Sequence, residues 1–253
     1  MGVVNKMRNG RVIVAGSPID NVGMDGAVRY AETMIEEGQQ CTILAVNPEK
    51  VIAARETPEL HACLNSAGLL IADGIGMILA ARLHGLNFKE RVPGSELMPR
   101  LCEMAAENGH SVFLYGAKEG VNKQAAEKLA QQYPGLVIAG RQDGYVAKEG
   151  MSALVDKINA SGAKLLFVAL GSPRQEYWIT EHKSELSPLV IQGVGGTFDV
   201  ISGSVKRAPK LWRAIHLEWL YRLLSQPQRF LRQTRLPAFV WLVLCDRMGL
   251  VKI

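Results

Sequence analysis

SVFLYGAKEGVNKQAAEKLAQQYPGLVIAG, residues 111–140, decides the fold class. Ser111–Tyr115 is a short apolar run rich in β-branched and aromatic residues, the mark of a strand. Glu119–Gln132 carries the longer spacing of a helix. Tyr133-Pro134-Gly135 stops it, because proline cannot continue a helix and glycine turns the chain. Leu136–Ala139 is apolar again. Strand, helix, strand is the unit from which parallel sheets are built.

The same alternation extends in both directions. Candidate strands Arg11–Ala15, Cys41–Val46 and Leu69–Ala72 precede this stretch, and Lys164–Leu170 and Leu189–Val194 follow it. Several are apolar throughout, as expected for strands covered on both faces. Between them, Met24–Glu37 reads as a helix closed by Gly38, Ala147–Ala160 as one ending near Ser161-Gly162, and Pro173–Glu185 as one opened by proline. The expectation is an α/β fold, a mostly parallel sheet flanked by helices. In such folds ligands bind beyond the carboxyl ends of the strands.

After Val194 the pattern changes. Leu211–Leu224 and Pro227–Val243 read as two helices broken at Ser225-Gln226-Pro227, with a boundary near Ser204–Ala208. Residues 1–203 are then an α/β core and 204–253 a helical appendage. The appendage holds ten Lys+Arg against two Asp+Glu, a balance of +8; the whole chain is +5, which leaves −3 for residues 1–203. Its arginines lie among Trp212, Trp219, Tyr221, Phe230, Phe239 and Trp241. Rings beside guanidinium groups suit a membrane interface, so the tail is expected to be an amphipathic membrane-docking element. A nucleic-acid partner is not expected. Met1–Gly10 is polar and Val12–Ala15 is too short for the apolar part of a signal peptide. The longest apolar candidate for a span, Leu236–Cys245, is interrupted by Pro237 and is far shorter than the ~20 residues that cross a bilayer. The protein is expected to be cytosolic or peripheral, not integral. The four cysteines show no metal-binding spacing and read as small core residues.

Chemistry is expected at the strand ends. Asp73 follows Leu69–Ala72 and precedes Gly74-Ile75-Gly76. Its carboxylate either takes a proton from an attacking hydroxyl or caps a helix starting at Ile75. Asn47 either binds a sugar hydroxyl or caps the next helix, and the two roles are compatible. Gly171-Ser172-Pro173-Arg174-Gln175-Glu176 offers backbone N–H groups at a helix start, an anion site. Gly193-Val194-Gly195-Gly196-Thr197-Phe198-Asp199 offers a second close-approach loop. Either loop alone is equally a tight turn; two at successive strand ends favour a nucleotide or phosphate ligand. No dinucleotide fingerprint, P-loop ending or D-x-D triplet is present, so neither a nicotinamide cofactor nor a bound metal is expected. The cations left to offset a departing diphosphate are Arg207, Arg222, Arg229 and Arg232, which read equally as a solvated basic face.

These residues carry a resemblance. GVGGTFDVISGSVKRAPKLWRAIHLEWLYRLLSQPQR (193–229), NPEK (47–50), ADGIG (72–76), ERVPGSEL (90–97), RQDGY (141–145) and ALGSPRQEYW (169–178) resemble the WecG/TagA/CpsF family of bacterial glycosyltransferases. The likeness runs over about residues 11–235 and is closest to the N-acetylmannosaminuronic acid and N-acetylmannosamine transferases. It implies a Rossmann-like core with a membrane-binding C-terminal appendage. It also implies inverting, metal-independent transfer from a UDP-sugar to a polyprenyl-diphosphate-linked sugar of GlcNAc type, in surface polysaccharide synthesis, and with it a cytoplasmic place, peripheral at the inner face of the membrane. On this resemblance Asp73 is the base, and Arg222, Arg229 and Arg232 support the leaving diphosphate. Substrate contacts are expected at Asn47, Arg91, Tyr145, Gly171, Gln175, Gly195, Gly196, Thr197, Asp199 and Arg207. Teichoic-acid members have threonine two residues before Asn47; here Ala45 stands there, which leaves the donor sugar open. The alternatives are the same fold acting on another UDP-hexose for exopolysaccharide, and a non-catalytic nucleotide-binding adaptor at the membrane. A homo-oligomer is also left open.

Overall fold

The computed structural model describes residues 11–209, 212, 218–225, 234–248 and 250. The main sheet has six parallel strands in the order β4-β3-β8-β7-β5-β6. They are β3 (Cys41–Val46), β4 (Leu69–Ala72), β5 (Ser111–Gly116), β6 (Val137–Gln142), β7 (Leu165–Ala169) and β8 (Val190–Gly193). Side chains of β5 alternate between the two faces: Phe113 and Tyr115 face one core, Val112 and Leu114 the other. Both cores are built of buried apolar side chains, which is why several strands read as apolar throughout.

One face is covered by α1 (Met24–Glu36), α5 (Gly94–Glu107) and α6 (Glu119–Gln132). The other is covered by α2 (Pro48–Glu56), α3 (Pro58–Asn65), α4 (Ile75–Leu83), α7 (Met151–Ala160) and α8 (Arg174–His182). The short helix α9 (Thr197–Ser202) follows β8, and α10 (Glu218–Ser225) and α11 (Arg235–Arg247) are the described helices of the C-terminal segment. Gly38, at φ 65°, ends α1 as the sequence indicates.

One predicted strand lies elsewhere. β1 (Arg11–Val14) pairs antiparallel with β2 (Ser17–Asp20), apart from the parallel sheet. Its two-residue turn, Ala15-Gly16, has positive φ at both positions, which folds the chain straight back on itself. Asp20 fastens this hairpin to the sheet edge: its carboxylate takes two bonds of 2.9 Å from Arg11 and one of 2.7 Å from the Leu70 N–H on β4.

The C-terminal segment also departs from a separate amphipathic tail. Phe239, Leu242, Val243 and Cys245 of α11 are buried, the first three in the core shared with α2 and α4. Phe239, expected among the interfacial rings, is only 3% exposed. Arg235 pairs with Glu56 of α2 at 2.8 Å, and Asp246 lies 3.1 Å from His84 at the end of α4. The opposite side of α11 is apolar too: Val240, Trp241, Leu244 and Met248 are exposed. No helix among the described residues is long and apolar enough to cross a membrane. All four cysteines are free and buried, and burial alone pushes the Cys41 thiol up to about 12.

Candidate active site

A cleft of about 410 Å³ opens at the carboxyl ends of β3, β4, β7 and β8. A larger hollow of about 570 Å³ lies at the other end of the sheet, lined by Arg11, Tyr30, Gln40 and Gly68 among others. The smaller cleft holds the strand-end loops and Asp73, and it lies where ligands of parallel α/β sheets bind.

Asp73 lines it directly after β4, its N–H bonded to the Val46 carbonyl of β3 at 2.8 Å. The N-cap of α4 is not Asp73 but Gly74, at φ 96°, a conformation L-residues rarely adopt. Two residues on, a Cβ at Gly76 would stand 2.8 Å from the Pro48 ring. Glycine therefore lets the start of α4 lie against the start of α2, which sets Asp73 beside Asn47. Asn47 caps α2, its Oδ1 accepting from the Lys50 N–H at 2.9 Å. Of the two roles foreseen for it the structure shows the cap, and the same residue lines the cleft.

The opposite wall is made by the two glycine-rich loops. Gly171, Ser172, Gln175, Gly195, Gly196 and Thr197 all line the cleft. The loops are joined to each other: the Gly195 N–H donates to Gln175 Oε1 at 2.9 Å, and Gln175 Nε2 donates to Glu176 Oε1 at 3.1 Å. The Gly195 N–H, which from sequence would be open to an anion, is thus committed internally. Beneath them Lys50 Nζ donates at 2.6 Å to Glu176 Oε1 and at 2.6 Å to the Ala45 carbonyl. Burial raises the Glu176 pKa, but the Lys50 charge and the hydrogen bonds from Lys50 and Gln175 outweigh it and hold the carboxyl below the usual carboxylate range.

Other expected residues are not among those on the cleft walls. Arg207 pairs with Glu96, and Arg91 approaches the same carboxylate at 3.9 Å; Glu96 adjoins Ser95, which does line the cleft. Tyr145, on the loop after β6, is 71% exposed and is not among the lining residues. Asp199, in the first turn of α9, is not among them either. Arg222 lies on α10; Arg229 and Arg232 fall outside the described residues. Lys50, Tyr177 and Arg235 are among the lining residues with no role assigned from sequence. Lys50 sits inside the NPEK motif, but nothing in a sequence distinguishes a buried lysine from a solvated one. Among the described residues no three His, Cys, Asp or Glu side chains gather into a cluster.

The family model described as glycosyl transferase, WecG/TagA/CpsF family, matches residues 12–252. The chain belongs to this family. It is a glycosyltransferase. Among its relatives is an N-acetylglucosaminyldiphosphoundecaprenol N-acetyl-beta-D-mannosaminyltransferase of Bacillus spizizenii, 38% identical over 212 residues, which span 84% of this chain and 82% of that protein.

Proposed function

We propose that this glycosyltransferase moves an N-acetylmannosamine-type sugar from a UDP-sugar to a GlcNAc-type sugar carried on a polyprenyl diphosphate, inverting the anomeric centre. The observation that carries this reading is the position of Asp73, in one cleft with Asn47 and both glycine-rich loops. The named activity of the Bacillus relative supports the choice of substrates.

In the proposed reaction an Asp73 carboxylate oxygen takes the proton of the acceptor hydroxyl. The acceptor oxygen forms the new bond to C1 of the donor sugar, and the bond from C1 to the phosphate oxygen breaks on the opposite face. UDP leaves with that electron pair. A well-placed general base contributes ~10²–10⁴ in rate. Charge support for the departing diphosphate is assigned to Arg222, Arg229 and Arg232, without a divalent metal. Asn47, Gly171, Gly196 and Thr197 are the proposed substrate contacts on the walls, with Arg91 and Arg207 at the margin.

The acceptor is a lipid, so the enzyme is proposed to work at the inner face of the cytoplasmic membrane as a peripheral protein. Exposed Val240, Trp241, Leu244 and Met248 on α11, with exposed Leu79 and Leu83 on the neighbouring α4, give an apolar face suited to lipid.

The test is UDP release, corrected for hydrolysis, from a panel of UDP-sugars with a short-chain polyprenyl-diphosphate–GlcNAc acceptor. UDP-N-acetylmannosamine or its uronic acid should be the preferred donor, and activity should survive excess EDTA. Preference for another hexose would move the protein to the exopolysaccharide alternative. Absence of release with every donor would leave a nucleotide-binding adaptor. Loss with EDTA, restored by magnesium, would overturn the metal-free mechanism.

A further inference from the structure

Lys50 and Glu176 are an ion pair with side chains only 6% and 0% exposed, under a cleft whose proposed reaction assigns them nothing. Burying two opposite charges costs desolvation that their attraction barely repays, so such a pair is poor evidence of stabilisation. Its connections point to another use. Lys50 Nζ holds the Ala45 carbonyl at the end of β3 and Glu176 Oε1 on α8. Glu176 Oε1 receives Gln175 Nε2, and this leaves Gln175 Oε1 facing the Gly195 N–H after β8. One line of hydrogen bonds thus ties together three strand ends. The orientation of the Gln175 amide is set from both sides: the Glu176 acceptor takes the NH₂ end, and the Gly195 N–H takes the oxygen.

Gly193 is an independent sign of the same arrangement. A Cβ there would stand 2.8 Å from Gln175 Nε2. Its φ is not left-handed, so what the bare backbone gives here is room for this amide and for Leu44, 3.1 Å away, rather than a turn.

We propose that Lys50 and Glu176 are positioning residues: they aim Gln175 at Gly195 and so fix the loop 193–197 for the donor nucleotide. The proposal rests on the glycosyl-transfer reading, and binding of UDP alone provides a readout that does not depend on it. The single variants Lys50→Met and Glu176→Leu each strand a buried charge and are expected to fold poorly. The double variant Lys50→Met/Glu176→Leu removes both charges at similar volume and should melt well above either single variant, below wild type only by the cost of the unpaired Ala45 carbonyl and Gln175 amide. It should nevertheless bind UDP about tenfold more weakly or worse, with donor KM raised, because Gln175 has lost the acceptor that orients it. Gly193→Ala, which leaves the ion pair intact but displaces the amide, should show the same weakening at near-normal melting temperature. Wild-type affinity for UDP in a stable double variant would make the pair structural only and overturn the proposal. So would a double variant that binds weakly only because it melts early, with Gly193→Ala binding normally. If wild-type protein binds UDP but transfers no sugar, the catalytic reading fails while the positioning role is still decided by the same titrations.

Discussion

At the scale of the residue, Asp73 and Glu176 show how position divides the work of two carboxylates. Asp73 stands on the cleft wall, half-buried, where it can meet a substrate. Glu176 is sealed beneath it and held ionised by Lys50. Asp73→Asn keeps the shape but removes the basicity. Turnover is expected to fall by ~10²-fold or more while UDP binding stays close to wild type. Near-normal turnover in the purified variant would reduce Asp73 to a turn residue. For Glu176 the folded-state pKa lies below the ordinary value, so the unfolded chain binds its proton first as the pH drops. Its contribution to stability is therefore complete above the ordinary glutamate range and is lost as the pH falls through the folded value. Denaturant titrations at a series of acid pH values should show a shallower decline for Lys50→Met/Glu176→Leu than for wild type; parallel curves would contradict the assigned shift.

At the scale of the element, the strands and the helices between them were legible because their signals are local. The breaker Tyr133-Pro134-Gly135 and the apolar run after it locate the end of α6 and the start of β6 to within a residue. The hairpin β1–β2 was not legible as a hairpin, since Arg11–Ala15 is as apolar as any sheet strand and only the backbone of Ala15-Gly16 reveals the reversal. Helix α11 was misread for a different reason. An amphipathic surface helix has one apolar face, whereas α11 is apolar on both. One side fills the core and the other is exposed, so the aromatic residues of the tail do not form one class. Phe239→Ser should cost about 3–5 kcal/mol of stability, seen as a lowered melting temperature, as for deletion of any buried phenylalanine. Trp241→Ser, at 67% exposed, should leave melting unchanged and weaken binding to anionic vesicles. Equal vesicle binding by wild type and Trp241→Ser would remove α11 from the membrane face.

At the scale of the whole molecule, the candidate site was legible as a set of strand ends but not as a network. Asn47, Asp73, Gly171, Gln175 and Gly195 each announce a strand end in sequence, yet that Gln175 holds Gly195 depends on which strands are neighbours in space. β7 and β8 lie side by side in the middle of the sheet, and no periodicity encodes that. The same long-range packing bears on where the core ends. Charge and composition divide the chain near Ser204, but α11 returns to the core from beyond that point and ties Arg235 to Glu56 across the helix that Asn47 caps. Ending the chain at Gly203 would remove the buried Phe239, Leu242 and Val243 of α11, each contributing ~1.5–3 kcal/mol, from a fold whose total stability is on the order of 5–15 kcal/mol. The shortened protein should therefore melt well below the full chain and lose activity on a water-soluble acceptor for that reason alone. Arg222→Ala and Arg229→Ala, in the full chain, separate the two effects. They should keep the melting temperature and still lose turnover, if these arginines carry the charge of the leaving diphosphate. A chain ending at Gly203 that melts with the full-length protein would show that α11 adds nothing to the core. Its activity on the soluble acceptor would then report directly on the arginines removed with it.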